Sequence, residues 1–112
     1  MKIYVRDVKE VYETRVHKPF MYKDVMYCTV RRPKKYRKGD TPYKYHIVHV
    51  LTGQFICTCK TKKVKNNIAR LIEQEEMFNK TVADALTERF GDNPSANINV
   101  DQWNKLITRL EK

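Results

Sequence analysis

Glycine and cysteine are scarce in this chain, three of each among 112 residues, beside four prolines and a single tryptophan. The cysteines Cys28, Cys57 and Cys59 are odd in number and too few for a disulfide scaffold, so they read as reduced thiols of a cytoplasmic protein. With so little glycine and no Gly/Ser tract there is no interdomain linker, no collagen-like repeat and no glycine-rich phosphate loop. No apolar run approaches the roughly 20 residues that a membrane-spanning helix needs, so no membrane is expected as a partner. The opening MKIYVRDVKEVYE carries acids and no apolar h-region, which argues against a signal peptide. Nucleophile elbow and HExxH motifs are missing too. Asp7, Glu10, Glu13, Asp24 and Asp40 are scattered rather than clustered, which gives no carboxylate set for a metal-dependent nuclease.

Hydrophobic residues make up 41% of the chain and aromatics 11%, enough for a small core. The length suits one compact domain and is short for a multi-part enzyme.

The informative feature is charge. The formal net charge is +10, and it is polarised along the chain. Residues 1–65 hold 17 Lys+Arg against 5 Asp+Glu, whereas residues 66–112 hold 6 against 8. Two clusters dominate the basic part: Arg31-Arg32-Pro33-Lys34-Lys35-Tyr36-Arg37-Lys38 and Lys60-Thr61-Lys62-Lys63-Val64-Lys65. A basic working surface backed by a near-neutral remainder is the simplest reading.

The first 59 residues read as sheet. Residues 3–5, 8–16 and 22–30 are rich in β-branched and aromatic side chains. His17-Lys18-Pro19 predicts a turn between the second and third runs. YKYHIVHV and FICTC flank Leu51-Thr52-Gly53-Gln54 as a hairpin. With Thr52-Gly53 as its loop, Val50 faces Phe55, Val48 faces Cys57 and His46 faces Cys59 on one side of the sheet. Tyr45, Ile47, His49, Leu51, Ile56 and Thr58 then fall on the other. A three-residue loop would shift Phe55, Ile56 and Cys57 by one.

After Cys59 the hydrophobic period lengthens to a helical one. Thr61 can cap a helix whose stripe is Val64, Ile68, Leu71 and Ile72. A second helix starts at Thr81, with Asp84 completing a capping box, Val82, Ala85, Leu86 and Phe90 facing inward, and Gly91 and Pro94 ending it. A third has Asn99 as cap and Val100, Trp103, Ile107 and Leu110 as its stripe. The expectation is a single α+β domain over residues 1–112. An N-terminal antiparallel β-sheet (1–59) precedes a helical region (60–112), in which an amphipathic helix packs on the sheet and two shorter helices follow. Residues 99–112 are a candidate detachable terminal helix, and the C-terminal helices either complete the core or mediate self-association, which makes them a candidate homodimer contact.

Densely packed cations at 31–38 repel one another unless an anion neutralises them, and phosphate is the commonest such anion. Arg grips phosphate or a guanine edge with two bonds, and Tyr36 can stack on a base. The bland alternative is a solvated loop or a localisation signal. Lys60, Lys62 and Lys63 stand where a helix N-terminus already attracts anions, which conflicts with the helix dipole unless something negative binds.

All seven tyrosines precede residue 46. Most should pack on the sheet, with a few placed to stack on single-stranded bases. Cys57, Cys59 and His46, with Cys28, make a candidate zinc set under the two-residue register. That set lacks a second ligand pair, and buried thiols more often pack as small hydrophobes, so neither a metal nor any other cofactor is assigned. His46 and His49 point to opposite faces of a strand, so a nuclease would have to be built from one of them with one acid.

The segment Tyr43 to Glu73, with its hairpin, its Lys60-Thr61-Lys62-Lys63 step and the Ile68, Leu71, Ile72 stripe, resembles the three-strand-plus-helix arm-binding domain of phage integrases. The resemblance implies a sheet, not a helix, lying in the DNA major groove. The chain departs from that family in having no room for a recombinase catalytic domain and in its C-terminal helices, so integration itself is not implied.

The function expected from these features is non-catalytic nucleic-acid binding, with DNA favoured over RNA, through a basic sheet face and the 31–38 basic loop on the phosphate backbone. Arg31, Arg32, Lys34, Lys35, Tyr36, Arg37, Lys38, Lys44, Lys60, Lys62, Lys63 and Lys65 are the candidate contacts. The alternative is a phage or mobile-element type of interaction protein whose basic face docks on an acidic protein or a nucleoprotein complex.

Overall fold

The computed structural model describes residues 2–6, 11–33 and 42–90. Five strands precede two helices: β1 (Lys2–Arg6), β2 (Val11–Tyr22), β3 (Val25–Arg31), β4 (Tyr45–His49), β5 (Phe55–Cys59), α1 (Val64–Phe78) and α2 (Val82–Phe90). The strands form one antiparallel sheet in sequence order, β1-β2-β3-β4-β5, so the α+β class and the sheet-then-helices order are as expected. The third helix, Gly91 and residues 34–38 of the first basic cluster lie outside the described residues.

His17-Lys18-Pro19 is not a turn. β2 continues through it, and the chain reverses instead at Lys23 and Asp24, whose φ values of 49° and 61° place both in the left-handed region. Such a two-residue turn matches the right-handed twist of its strands, which outweighs the side-chain cost of a positive φ. Pro19 is tolerated because β2 has changed neighbours by then. It pairs with β1 through Arg15 and with β3 from Val16 onward, so at Pro19 it has one partner strand, and the missing N–H breaks little. A register shift between Val16 and Lys18 bends the strand at the changeover.

That bend curls the sheet. The Arg6 amide donates to the Gly53 carbonyl at 2.7 Å, so the end of β1 meets the β4–β5 loop. Inside the curl lies one core: Ile3, Val5, Cys28, Val30, Val48 and Val50, with Tyr12, Val16, Met26 and Phe55 around it. On the outer face Phe20, Tyr27, Ile47, Cys57 and Cys59 meet Leu71 of α1 and Val82 and Leu86 of α2.

The hairpin register differs from expectation. The Gly53 amide donates to the His49 carbonyl (2.8 Å) and the His49 amide to Gln54 (2.9 Å), so four residues, Val50 to Gly53, make the loop. Gly53 takes the left-handed conformation there, at φ 72°. Ile56 bulges from β5, and the observed pairs are Val48–Phe55, Ile47–Cys57, His46–Thr58 and Tyr45–Cys59. Cys57 and Cys59 therefore share the outer face with Ile47 and Tyr45, while His46 points into the curl.

In α1 the inward stripe is Val64, Asn67, Ile68 and Leu71; Ile72, expected inward, is 42% exposed, and Asn67 is fully buried instead. Its N-cap is Lys63 rather than Thr61, although Thr61 Oγ1 still accepts the Lys63 amide at 3.1 Å. Asn79, left-handed at φ 54°, closes α1 by donating its amide to the Glu75 carbonyl. Thr81 caps α2 as expected, its hydroxyl accepting the Asp84 amide at 3.1 Å.

Candidate nucleic-acid interface

Arg31 pairs with Tyr45, and Tyr45 pairs with Cys59. The last residue of β3, the first of β4 and the last of β5 thus stand abreast at one end of the sheet. The chain leaving β3 and the chain leaving β5 carry the two basic clusters, so the sheet itself brings together segments about 30 positions apart. Arg32 fastens this end: its amide donates to the Lys44 carbonyl at 3.0 Å, and its Nη1 donates to the Tyr43 carbonyl at 3.0 Å. Lys60 Nζ lies 5.3 Å from the Tyr43 ring centroid, and the Arg70 guanidinium carbon lies at 5.9 Å, both within cation–π range.

His17 belongs to the same end. Its ring meets the Tyr45 ring edge-on with centroids 5.5 Å apart. Partial burial lowers its pKa, and the charges of Lys62 and Arg31 lower it further, so one cation from each cluster acts on a single imidazole.

The N-terminus of α1 adds to this field. Lys63 makes no side-chain cap bond, the first turn contains no acid, and Lys62, Lys63 and Lys65 are all exposed there. The last turn carries no basic residue. Charge on α1 thus opposes the helix dipole at its start, at a cost of about 0.3–1 kcal/mol per charge that a bound anion would offset.

Among the residues expected to bind, Arg31, Lys44, Lys60, Lys62, Lys63 and Lys65 are exposed, and Arg32 is half-buried and serves the backbone. Lys34, Lys35, Tyr36, Arg37 and Lys38 lie outside the described residues. The sequence reading missed His17, Tyr43 and Arg70 as members of this end. Arg70 had a signal: Asn66, Arg70 and Glu73 recur at i, i+4 and i+7, a stripe beside the inward one. A groove of about 290 Å³ opens there, lined by Tyr43, Lys60, Thr61, Asn66, Arg70 and Glu73 among others.

The zinc constellation does not form. Cys57 and Cys59 are buried on the outer face, and His46 packs against Phe55 inside the curl, the rings tilted by 54° with centroids 4.5 Å apart. Among the described residues no group of three or more His, Cys, Asp or Glu is placed to hold a metal. Burial pushes the Cys57 thiol up to about 11 and that of Cys59 up to about 12. His49 is buried against Tyr27, hydrogen-bonds the Thr52 hydroxyl at 2.8 Å, and is lowered by burial to about 4, so it is neutral at pH 7. His46 and His49 face opposite sides, as strand alternation requires.

A second groove, about 320 Å³, lies between the start of β5 and α2, lined by Phe55, Ile56, Phe78, Val82, Ala85 and Leu86 among others. Met77 and Phe78 beside it are 65% and 57% exposed. No protein-family model, no curated protein and no solved structure matches this chain.

Proposed function

We propose that this protein is a non-catalytic nucleic-acid-binding module, with DNA the favoured partner, whose basic sheet end grips the phosphate backbone. The observation that supports this most is that Arg31, at the start of the first cluster, meets the second cluster across β3, β4 and β5, with Arg31 and Lys62 both acting on His17. Arg31, Lys44, Lys60, Lys62 and the α1 N-terminus then act together on a polyanion, and the segment 34–38 adds cations next to Arg31 in sequence. Arg32 contributes by holding Tyr43 and Lys44 in place. The test is a titration of nucleic-acid-free protein against labelled DNA and RNA at several salt concentrations. Arg31→Ala with Lys62→Ala should weaken binding and flatten the salt slope by about 0.7–0.9 for each phosphate contact removed. Unchanged affinity and slope would sink the reading.

The second reading, an interaction protein that docks on an acidic partner or a nucleoprotein complex, is favoured by Met77 and Phe78. They lie about 20 Å along α1 from the basic end and offer the apolar contact that a protein interface uses and a phosphate backbone does not. A pull-down that survives nuclease treatment and is lost with Phe78→Ser would select it.

A further inference from the structure

We infer that the groove beside Tyr43 takes one unpaired nucleobase, so that this end of the sheet grips a single strand rather than a closed duplex; the inference rests on the nucleic-acid reading above.

The groove has one fixed aromatic wall and one fixed planar cation. Tyr43 is half-buried, and the two hydrogen bonds from Arg32 to the Tyr43 and Lys44 carbonyls, both 3.0 Å, pin its backbone. Arg70 is held from two sides: its Nε donates to the Thr58 carbonyl at 3.0 Å and its Nη1 to Glu73 Oε2. Lys60 differs. It is exposed on a four-carbon stem, with its ammonium near the Tyr43 ring.

A nucleobase is a flat apolar plate with a polar edge. Its faces suit a tyrosine ring and a guanidinium plane, and both occur here. Its edge needs donors and acceptors, and Asn66, Thr61 and Glu73 line the groove. Asn66 Nδ2 donates to Thr61 Oγ1 at 3.2 Å and Arg70 engages one Glu73 oxygen, which leaves the Asn66 carbonyl oxygen and the other Glu73 oxygen to meet a base edge. Entry of a base exchanges the Lys60–Tyr43 cation–π contact for stacking. The freed ammonium then pairs with the adjoining phosphate, and Lys62 and Arg31 take phosphates further along. Two cations against the one carboxylate of Glu73 leave the groove net positive, as a strand requires. At about 290 Å³ it stands at the small end of ligand pockets, sized for one ring system. A duplex presents phosphates and base edges but no base face, and would leave Tyr43 unused.

The experiment measures the anisotropy of three labelled probes of equal length: a mixed-sequence single strand, the same backbone made of abasic sites, and the duplex. The natural strand should bind about tenfold tighter than the abasic backbone. Tyr43→Ala should remove that advantage without changing abasic affinity, Tyr43→Phe should retain it, and Lys62→Ala should weaken all three probes alike. Photocrosslinking of a 5-iodouracil strand to the unaltered protein should mark the peptide that carries Tyr43, which answers the question even where Tyr43→Ala fails to fold. Equal affinity for natural and abasic strands, or a preference for the duplex, overturns the base site and leaves the phosphate reading standing. Failure to bind any of the three overturns both.

Discussion

The Tyr22 hydroxyl donates a 2.6 Å hydrogen bond to Glu75 Oε1 across 53 positions of sequence, tying the end of β2 to the last turns of α1. Lys23 Nζ reaches the same oxygen at 2.9 Å, the Val82 amide donates to the other carboxylate oxygen at 2.9 Å, and the Glu75 carbonyl receives the Asn79 amide. One residue thereby joins the β2–β3 turn, the end of α1 and the start of α2.

Glu75→Gln should destabilise the fold by about 2 kcal/mol, since hydrogen bonds to a charged group contribute roughly 1.5–3 kcal/mol. Burial works against the carboxylate, but the hydrogen bonds from Tyr22, Lys23 and Val82 outweigh it and hold its pKa below the ordinary 4.5. A depressed carboxyl stabilises the fold above its unfolded pKa, and that contribution disappears as pH falls from about 4.5 through the lower folded value. Urea melts of wild type, Tyr22→Phe, Glu75→Gln and the double variant should show non-additive losses, and the Glu75→Gln protein should lack the acid limb.

His49 should make a separate limb at milder acidity. Its ring is lowered from 6.5 to about 4 by burial, so the unfolded chain takes up a proton that the folded chain refuses. Stability is thus complete above about 6.5 and falls as pH drops toward about 4, by up to roughly 3 kcal/mol. His49→Gln should flatten the urea-midpoint profile over that interval and leave the Glu75 limb below it.

His17 reports on the basic end. Its pKa is lowered by partial burial, then by Lys62 and Arg31, so Lys62→Ala or added salt should raise it in an NMR titration. A bound polyanion should raise it further. Binding would then take up a proton, and affinity for a labelled strand should increase as pH falls from 7 to 6. A His17 pKa indifferent to Lys62→Ala would contradict the closeness of the two clusters.

The cysteines should be silent toward a thiol reagent at pH 8. All three are buried, and burial raises each thiol pKa. Labelling should proceed at the rate of unfolding, and all three should react at once in denaturant.

Much of the element order was legible because it is written in local periodicity. The runs at 22–30, 43–50 and 55–59, the helix entered near Val64 and the Thr81 cap each carry their own side-chain signal. What escaped depended on partners distant in sequence. Lys23-Asp24 bears no glycine, and the left-handed pair is selected by strand twist, whereas Pro19 looked like a breaker because its open strand edge is set by where β1 ends. The four-residue loop and the Ile56 bulge together moved Cys59 from His46 to Tyr45, a net shift of one residue that put the thiols on the face opposite His46 and undid the zinc reading. At the site, both basic clusters were visible in the sequence, but the approach of Arg31 to the second cluster was not, because it follows from the Arg31–Tyr45–Cys59 alignment. Asn67 took the inward place given to Ile72 because the helix turns about 100° per residue, and the contact stripe leans toward the residues N-terminal to Leu71.

The strand order has a kinetic consequence. Each strand pairs with its neighbour in sequence, so the sheet can assemble by successive short-range closures with little loop entropy to overcome. The clasp between Arg6 and Gly53 is different, joining the first strand to the last hairpin. Its large separation in sequence predicts that this bridge forms late, fastening one corner of the sheet over the inner core after the neighbouring strands have paired.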